Sequence, residues 1–329
     1  MLYFLLNYSL PRAILTDYTL CFDVKYYRRD KIIMKNTIFT GAGVAIVTPM
    51  NEDGSINYEQ FGKNIDFQIE NGTDAIIVCG TTGESSTMTD EEHLECIRYC
   101  VERTAKRVPV IAGTGSNDTK YAIELSQKAE ELGADGLLIV TPYYNKSSQR
   151  GLVAHFTAIA DAVNIPIILY NIPGRTGVNI AIDTYKKLGE HKNIVAVKEA
   201  SGNISYVAKL IAECGDILDV YSGNDDQIVP LMALGGKGVI SVLSNIMPKE
   251  THEMAQLCLD NNCAEAAKLQ AKLLKFTNNL FIEVNPIPVK EAMNIMGWNC
   301  GICRMPLYPM AEENIKIMKD SMIELGLVK

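Results

Sequence analysis

Histidine is scarce in this sequence, and the scarcity narrows the chemistry open to it. The 329 residues contain four, at positions 93, 155, 191 and 252, and none stands in a His-x-x-x-His or comparable spacing suited to a catalytic metal. A metal-dependent aldolase or hydrolase is disfavoured, and each histidine reads as a surface or capping residue. Positive charge is short as well: 31 Lys and Arg against 39 Asp and Glu leave a net charge of -8. No basic face is offered to nucleic acid or to an anionic membrane. Apolar runs stay well below the roughly 20 residues that span a bilayer. The glycine fingerprint of a dinucleotide site is missing too, because Gly41-Ala42-Gly43-Val44-Ala45-Ile46 has no third glycine in place and opens a strand. What remains is small-molecule chemistry carried out by side chains.

Cysteine is present but without a disulfide pattern. Nine residues (21, 79, 96, 100, 214, 258, 263, 300 and 303) are an odd number spread over a long chain, which fits reduced thiols and a cytoplasmic protein. Cys300 and Cys303 have the spacing of half a zinc site, but no second pair completes four ligands, so both read as ordinary thiols. Residues 1–33 begin with a short apolar stretch, yet lack a basic leader and an Ala-x-Ala cleavage site. They are expected to be upstream or disordered sequence, with the natural chain starting at Met34; Arg28-Arg29 is compatible with a ribosome-binding site read in frame.

From about residue 41 one unit recurs: a short apolar run ending in small or polar residues, then a longer amphipathic segment. The runs are 43–49, 74–80, 108–115, 134–142, 165–171, 194–200, 218–223 and 238–242. Between them lie helix-start signals, such as Thr89-Asp90-Glu91-Glu92 and Asp118, and a stop at Gly133. Eight strand-helix units predict an α/β fold, a (β/α)8 TIM barrel over residues 34–260, with an open doubly wound sheet as the other solution. Residues 261–329 read as helices around the Pro-rich joint Asn285-Pro286-Ile287-Pro288, a C-terminal helical domain appended to the barrel.

A barrel of this kind carries its active site at the C-terminal ends of its strands. Those ends supply Thr48, Gly80 to Glu84, Tyr143 and Tyr144, Tyr170 and Asn171, Lys198, Ser222 and Gly223, and Ile240 and Ser241. The set is rich in hydroxyls, has one amine, and contains no histidine and no acidic pair. Lys198 ends the apolar run Ile194-Val195-Ala196-Val197. There it either closes a salt bridge with a neighbour such as Glu199, or holds a partly desolvated amine able to attack a carbonyl and form a Schiff base. Tyr170 and Tyr144 are the phenols available to move protons, with a threonine hydroxyl linking them. The Gly-Thr-Thr-Gly turn exposes N–H groups and hydroxyls suited to a small carboxylate, and Arg175 could hold a second carboxylate with its planar fork. Taken singly, each has a plainer reading: Tyr170 in the core, Tyr144 and Arg175 on solvated loops, and Glu199 in a supporting structural role.

The combination Gly80-Thr81-Thr82-Gly83-Glu84-Ser85, Thr141-Pro142-Tyr143-Tyr144-Asn145, Leu169-Tyr170-Asn171-Ile172-Pro173-Gly174-Arg175, Val197-Lys198-Glu199-Ala200-Ser201-Gly202-Asn203 and Asn285-Pro286-Ile287-Pro288-Val289-Lys290 resembles the dihydrodipicolinate synthase family of pyruvate-dependent class I aldolases. The resemblance runs from about residue 36 to the C-terminus. It implies a lyase that condenses pyruvate with L-aspartate 4-semialdehyde, on the path to diaminopimelate and lysine, without metal or organic cofactor. It further implies that Lys198 forms the Schiff base and that Tyr170, Thr81 and Tyr144 form a proton relay, with Tyr144 reaching into the neighbouring subunit of a homotetramer built as a dimer of dimers. Thr82 would bind the pyruvate carboxylate, Arg175 would receive the semialdehyde carboxylate, and Gly223 and Ile240 would line the lysine's surroundings.

Relatives of the same fold, N-acetylneuraminate lyase and keto-deoxy sugar acid aldolases, are the competing reading. The Thr81-Thr82 pair and Arg175 favour the synthase, because a short acidic acceptor needs a cation where a sugar needs hydroxyl recognition. A non-catalytic barrel would be expected to lack the lysine or the tyrosine. The resemblance also places Ser85, His93, Asn117 and Tyr143 in the pocket where lysine inhibits regulated relatives. Two positions depart from that pattern: Asp90 replaces a histidine, and Tyr121 replaces the glutamate that pairs with the inhibitor's amine. Weak or absent inhibition is expected.

Overall fold

Short aliphatic runs buried on both faces favour parallel strands covered by helices. The computed structural model describes residues 36–329, so the expectations for residues 1–33 and for a start of the chain and of the barrel at residue 34 lie outside the described residues. Its strands are β1 (Gly41–Ala45), β2 (Ala75–Val78), β3 (Val110–Gly113), β4 (Gly136–Val140), β5 (Ile167–Asn171), β6 (Ile194–Glu199), β7 (Asp219–Ser222) and β8 (Gly238–Ser241). Each pairs in parallel with the next, and β8 returns to β1 in the register Gly41↔Gly238 to Val44↔Ser241. The barrel is closed, which sets the open-sheet solution aside. β1 starts earlier than the run 43–49 suggests and stops at Ala45. One further rung survives, from the Ile46 N–H to the Ile77 carbonyl at 3.1 Å, before the chain turns away.

The helices begin where side chains can satisfy their free N–H groups. Thr89 Oγ1 accepts from the Glu92 N–H at 3.2 Å and Glu92 Oε2 accepts from the Thr89 N–H at 3.0 Å, a reciprocal cap for the helix Asp90–Thr104. Asp118 caps Thr119–Glu131 by accepting from the Lys120 N–H at 2.9 Å. Beyond β8 the chain forms the helices Pro248–Leu259, Cys263–Asn279, Ile287–Ile295 and Glu312–Glu324.

Alternation along the strands divides the core. Ile76, Val78, Ile139, Leu169 and Val197 belong to a layer shared with the surrounding helices, whereas Ile77, Ile111, Leu138, Ile168 and Ile240 fill the barrel interior. Each such side chain contributes about 1.5–3 kcal/mol when fully buried. A third cluster, including Ala42, Val239, Phe276, Leu280 and Met293, fastens the C-terminal helices to β1 and β8. Two histidines depart from the surface reading. His93 and His155 are buried, the first bonded through Nε2 to the Gly113 carbonyl at 2.9 Å and the second through Nδ1 to Thr119 Oγ1 at 2.9 Å. Their inward helical positions let backbone and hydroxyl groups replace water. Cys300 is also buried, with its Sγ accepting from Asn64 Nδ2 at 3.6 Å. Among the described residues no helix is long and apolar enough to cross a membrane.

Candidate active site

Lys198 enters the barrel because of an irregularity in β6. Against β5, Ile194 faces Ile167 but Ala196 faces Ile168, so Val195 is an extra residue, a β-bulge. Ile194 and Val197 pack into the outer layer, while Val195 and Ala196 both face the interior. Strict alternation from Ile194 would have turned Lys198 outward. The bulge resets the phase, and Lys198 falls in register between Tyr170 on β5 and Tyr221 on β7.

The amine then sits in a cavity of about 160 Å3 at the strand ends, lined among others by Thr81, Thr82, Tyr170, Arg175, Gly223 and Asn285. Lys198 is 6 % exposed, and its Nζ lies 4.5 Å from the centre of the Tyr170 ring. Among the described residues it has no ion-pair partner, and Glu199 turns the other way: its carboxylate accepts from Asn171 Nδ2 at 2.9 Å and from the Ser201 N–H at 2.7 Å. The supporting role expected for Glu199 therefore has a geometry, and the salt bridge between the two neighbours is absent. Burial brings the Lys198 amine down to about 8, opposed by the buried Asp225 carboxylate and assisted by the Arg175 charge. Burial pushes the Tyr170 phenol up to about 12, opposed by Arg175 and by the nearby Thr81 hydroxyl. Gly223 is required by space: a Cβ there would lie 2.7 Å from Ala200 Cβ and 3.1 Å from Lys198 Cε.

The turn after β2 supplies the hydroxyls. Gly83 N–H donates to the Gly80 carbonyl and Glu84 N–H to the Thr81 carbonyl, each at 3.1 Å, and Thr48 Oγ1 donates to the Gly83 carbonyl at 2.8 Å. Arg175 belongs to the short helix Pro173–Thr176 and donates through Nη2 to the Asn285 carbonyl at 3.2 Å. Such a set can bind a small carboxylate, present an amine to a carbonyl, and move a proton through a phenol.

Six of the eight residues to which the resemblance gives catalytic or substrate roles line this cavity: Thr81, Thr82, Tyr170, Arg175, Lys198 and Gly223. Ile240 is buried in the barrel interior, outside the cavity lining. Tyr144 is 92 % exposed with a positive φ of 66°, on the loop after β4 and away from the cavity of its own chain. Around it, Asn117 Nδ2 donates to the Tyr143 carbonyl at 3.2 Å and Asn145 Nδ2 to the Asn117 carbonyl at 2.9 Å. Tyr121 donates its hydroxyl to Asp90 Oδ1 at 2.6 Å, so the two departing positions bind each other. Ser85 opens a short 3-10 turn, and buried His93 is held to Gly113.

Asn285 is a cavity residue that the sequence reading passed over. Its Nδ2 donates to Thr82 Oγ1 at 3.0 Å, and its Oδ1 is buried with no partner among the described residues. Its signal was its place in the Asn285-Pro286-Ile287-Pro288 joint, a polar residue fixed just ahead of a helix. Asp225, which accepts from the Val242 and Leu243 N–H groups at 2.9 and 3.0 Å, was also missed, because nothing local marks it as facing Lys198.

With this geometry established, comparison with known proteins is direct. The family model described as the dihydrodipicolinate synthetase family matches residues 38–324. The 4-hydroxy-tetrahydrodipicolinate synthase of Acetivibrio thermocellus is 58% identical over 295 residues, covering 90% of this chain and all of that one (100%). Among solved structures, dihydrodipicolinate synthase from Aquifex aeolicus aligns with a TM-score of 0.86 at 46% identity, covering 88% of this chain and 99% of that one. The chloride-inhibited dihydrodipicolinate synthase from Acinetobacter baumannii complexed with pyruvate aligns with a TM-score of 0.87 at 44% identity, covering 89% and 100%. On a family match that spans most of its length, and on relatives of this identity, the chain belongs to the dihydrodipicolinate synthetase family.

Proposed function

We propose that this protein is a 4-hydroxy-tetrahydrodipicolinate synthase, a lyase that joins pyruvate to L-aspartate 4-semialdehyde in diaminopimelate and lysine biosynthesis. The observation that carries the reading is Lys198: a buried amine without an ion-pair partner among the described residues, at a barrel mouth, beside a phenol and two threonines. Neutral Lys198 Nζ attacks the keto carbon of pyruvate, and loss of water leaves a protonated imine. That imine withdraws electrons from the methyl carbon, which gives up a proton to form the enamine. The enamine carbon attacks the aldehyde carbon of the semialdehyde, whose oxygen takes up a proton. The acceptor's own amine then attacks the imine carbon, closing the ring and releasing Lys198. Thr82 and the N–H groups of its turn hold the pyruvate carboxylate, and Arg175 holds that of the semialdehyde. Tyr170 passes protons through Thr81 to Tyr144.

The exposure of Tyr144 supports its service in a neighbouring subunit, within a cytoplasmic homotetramer. The barrel, whose described residues are 36–260, carries the chemistry, and the helical domain 261–329 contributes Asn285 to its mouth. No metal or cofactor takes part in this scheme.

Borohydride reduction in the presence of pyruvate, followed by peptide mapping, should place one adduct on Lys198, and Lys198→Ala should abolish it. An adduct on another residue, or none, would overturn the mechanism. Product formation with aspartate semialdehyde but not with N-acetylmannosamine separates this reading from a sugar-acid lyase.

A further inference from the structure

Beyond the cavity, the helix Ile287–Ile295 buries a charge against the active-site turn. Lys290 Nζ lies 2.8 Å from Glu84 Oε1, with the two side chains 2 % and 0 % exposed. Glu84 is the last residue of the Gly80 to Glu84 turn and holds a left-handed conformation, with φ +58°, which a non-glycine residue adopts only when its surroundings impose it. Its surroundings do so at every polar atom. Oε1 accepts from Lys290, Oε2 accepts from the Arg304 N–H at 2.9 Å, the Glu84 N–H donates to the Thr81 carbonyl, and its carbonyl accepts from the Thr87 N–H at 3.1 Å. Lys290 spends a second donor on the Ile302 carbonyl at 2.9 Å. Arg304 extends the network, its guanidinium meeting Glu92 Oε1 and Oε2 at 2.5 and 2.7 Å and the Gly54 carbonyl at 2.7 Å.

The same stretch of chain touches the turn at a second point, through Asn285 on Thr82 Oγ1 at 3.0 Å. The turn is thus gripped at both its middle and its end by residues on either side of one helix start. The turn packs closely on the chain before it, since a Cβ on Gly83 would lie 3.2 Å from the Cys79 nitrogen and 3.3 Å from the Ile46 carbonyl oxygen. A buried ion pair is a poor way to gain stability alone, but two charges that must meet fix one register between helix and turn.

We propose that Lys290 is a positioning residue for the reaction: through Glu84 it locks the turn that presents Thr81 and Thr82, so that the C-terminal helical segment completes the carboxylate pocket. This rests on the proposed function, specifically on Thr82 as the pyruvate-carboxylate group. Releasing the lock should weaken pyruvate before it affects the acceptor.

The test measures half-saturation for pyruvate in two ways, steady-state KM and borohydride trapping at Lys198, in Lys290→Met, Lys290→Arg and Glu84→Gln. Lys290→Met should raise both by about tenfold, with KM for the semialdehyde shifting by less than about threefold. Lys290→Arg should recover part of the loss, and Glu84→Gln, which keeps its volume and one acceptor, should raise pyruvate half-saturation several-fold even if Lys290→Met fails to fold. In the unmodified protein, pyruvate should slow amide exchange in 80–84 and in 302–304 together. Folded variants with wild-type pyruvate half-saturation, or exchange protection confined to 80–84, would overturn the proposal. Failure of the wild type to form any pyruvate adduct would instead overturn the function on which it rests, so the two failures are distinguishable.

Discussion

Lys198 loses its hydration shell at the end of β6, and that loss is what makes it useful. An ordinary lysine amine near 10.5 is about 0.3% neutral at pH 8, whereas one brought to about 8 is half neutral there. The same shift penalises the folded state by about 3 kcal/mol at neutral pH, at 1.36 kcal/mol per pH unit. The sign follows from proton binding: between about 8 and 10.5 the unfolded chain holds a proton that the folded one has lost, so the penalty is complete below about 8 and fades as pH rises toward 10.5. Single-turnover imine formation should therefore rise tenfold per pH unit below about 8 and then level off, and Lys198→Met should raise the melting temperature at pH 7 by more than at pH 10. A rate that keeps climbing beyond pH 10 would show an unperturbed amine.

Elements decide where such residues point. The apolar run 194–197 was readable as a strand, and Lys198 as its end, but its direction was not, because the bulge at Val195 is defined only by the register of β5. A period-2 pattern says which residues share a face, not where an extra residue has been inserted. The helix Ile287–Ile295 raises the same limit at longer range, since Lys290 and Glu84 are 206 positions apart. Nothing local to either marks them as partners. Their pairing carries a stability signature of its own. Lys290→Met alone should cost about 3–5 kcal/mol, because it leaves the Glu84 charge buried, while Lys290→Met with Glu84→Leu should cost much less. Denaturant titration of both variants checks this, and equal losses would show that the pair contributes by packing alone.

At the scale of the whole molecule, the regulatory positions expected from the resemblance are tied between neighbouring segments, Asn117 to the Tyr143 carbonyl and His93 to the Gly113 carbonyl. The Tyr121 hydroxyl engages Asp90 Oδ1 at 2.6 Å. A carboxylate already accepting from a phenol, with the glutamate of the regulated pattern replaced by that phenol, offers a weak seat for an ammonium group. L-lysine should inhibit only at millimolar concentration or above, and Tyr121→Glu should increase sensitivity; steady-state assays giving a micromolar inhibition constant for the unmodified enzyme would refute this. Tyr144, projecting from the same region, belongs with this scale, because its function in the proposed relay requires a second subunit.

The sequence by itself determined the eight-unit αβ rhythm, the caps at Thr89 and Asp118, and a list of strand-end residues of which Gly80, Thr81, Thr82, Tyr170, Lys198 and Gly223 meet in one cavity, because period, capping chemistry and the position of barrel active sites are local or topological rules. Only the tertiary structure decided that Lys198 faces inward, that Asn285 reaches Thr82, that His93 and His155 are buried, and that Lys290 neutralises Glu84. Those outcomes depend on register and on contacts between segments distant in sequence. Burial then assigns each polar group a partner or a shifted proton affinity, and burial is a property of the packed chain rather than of any run of residues within it.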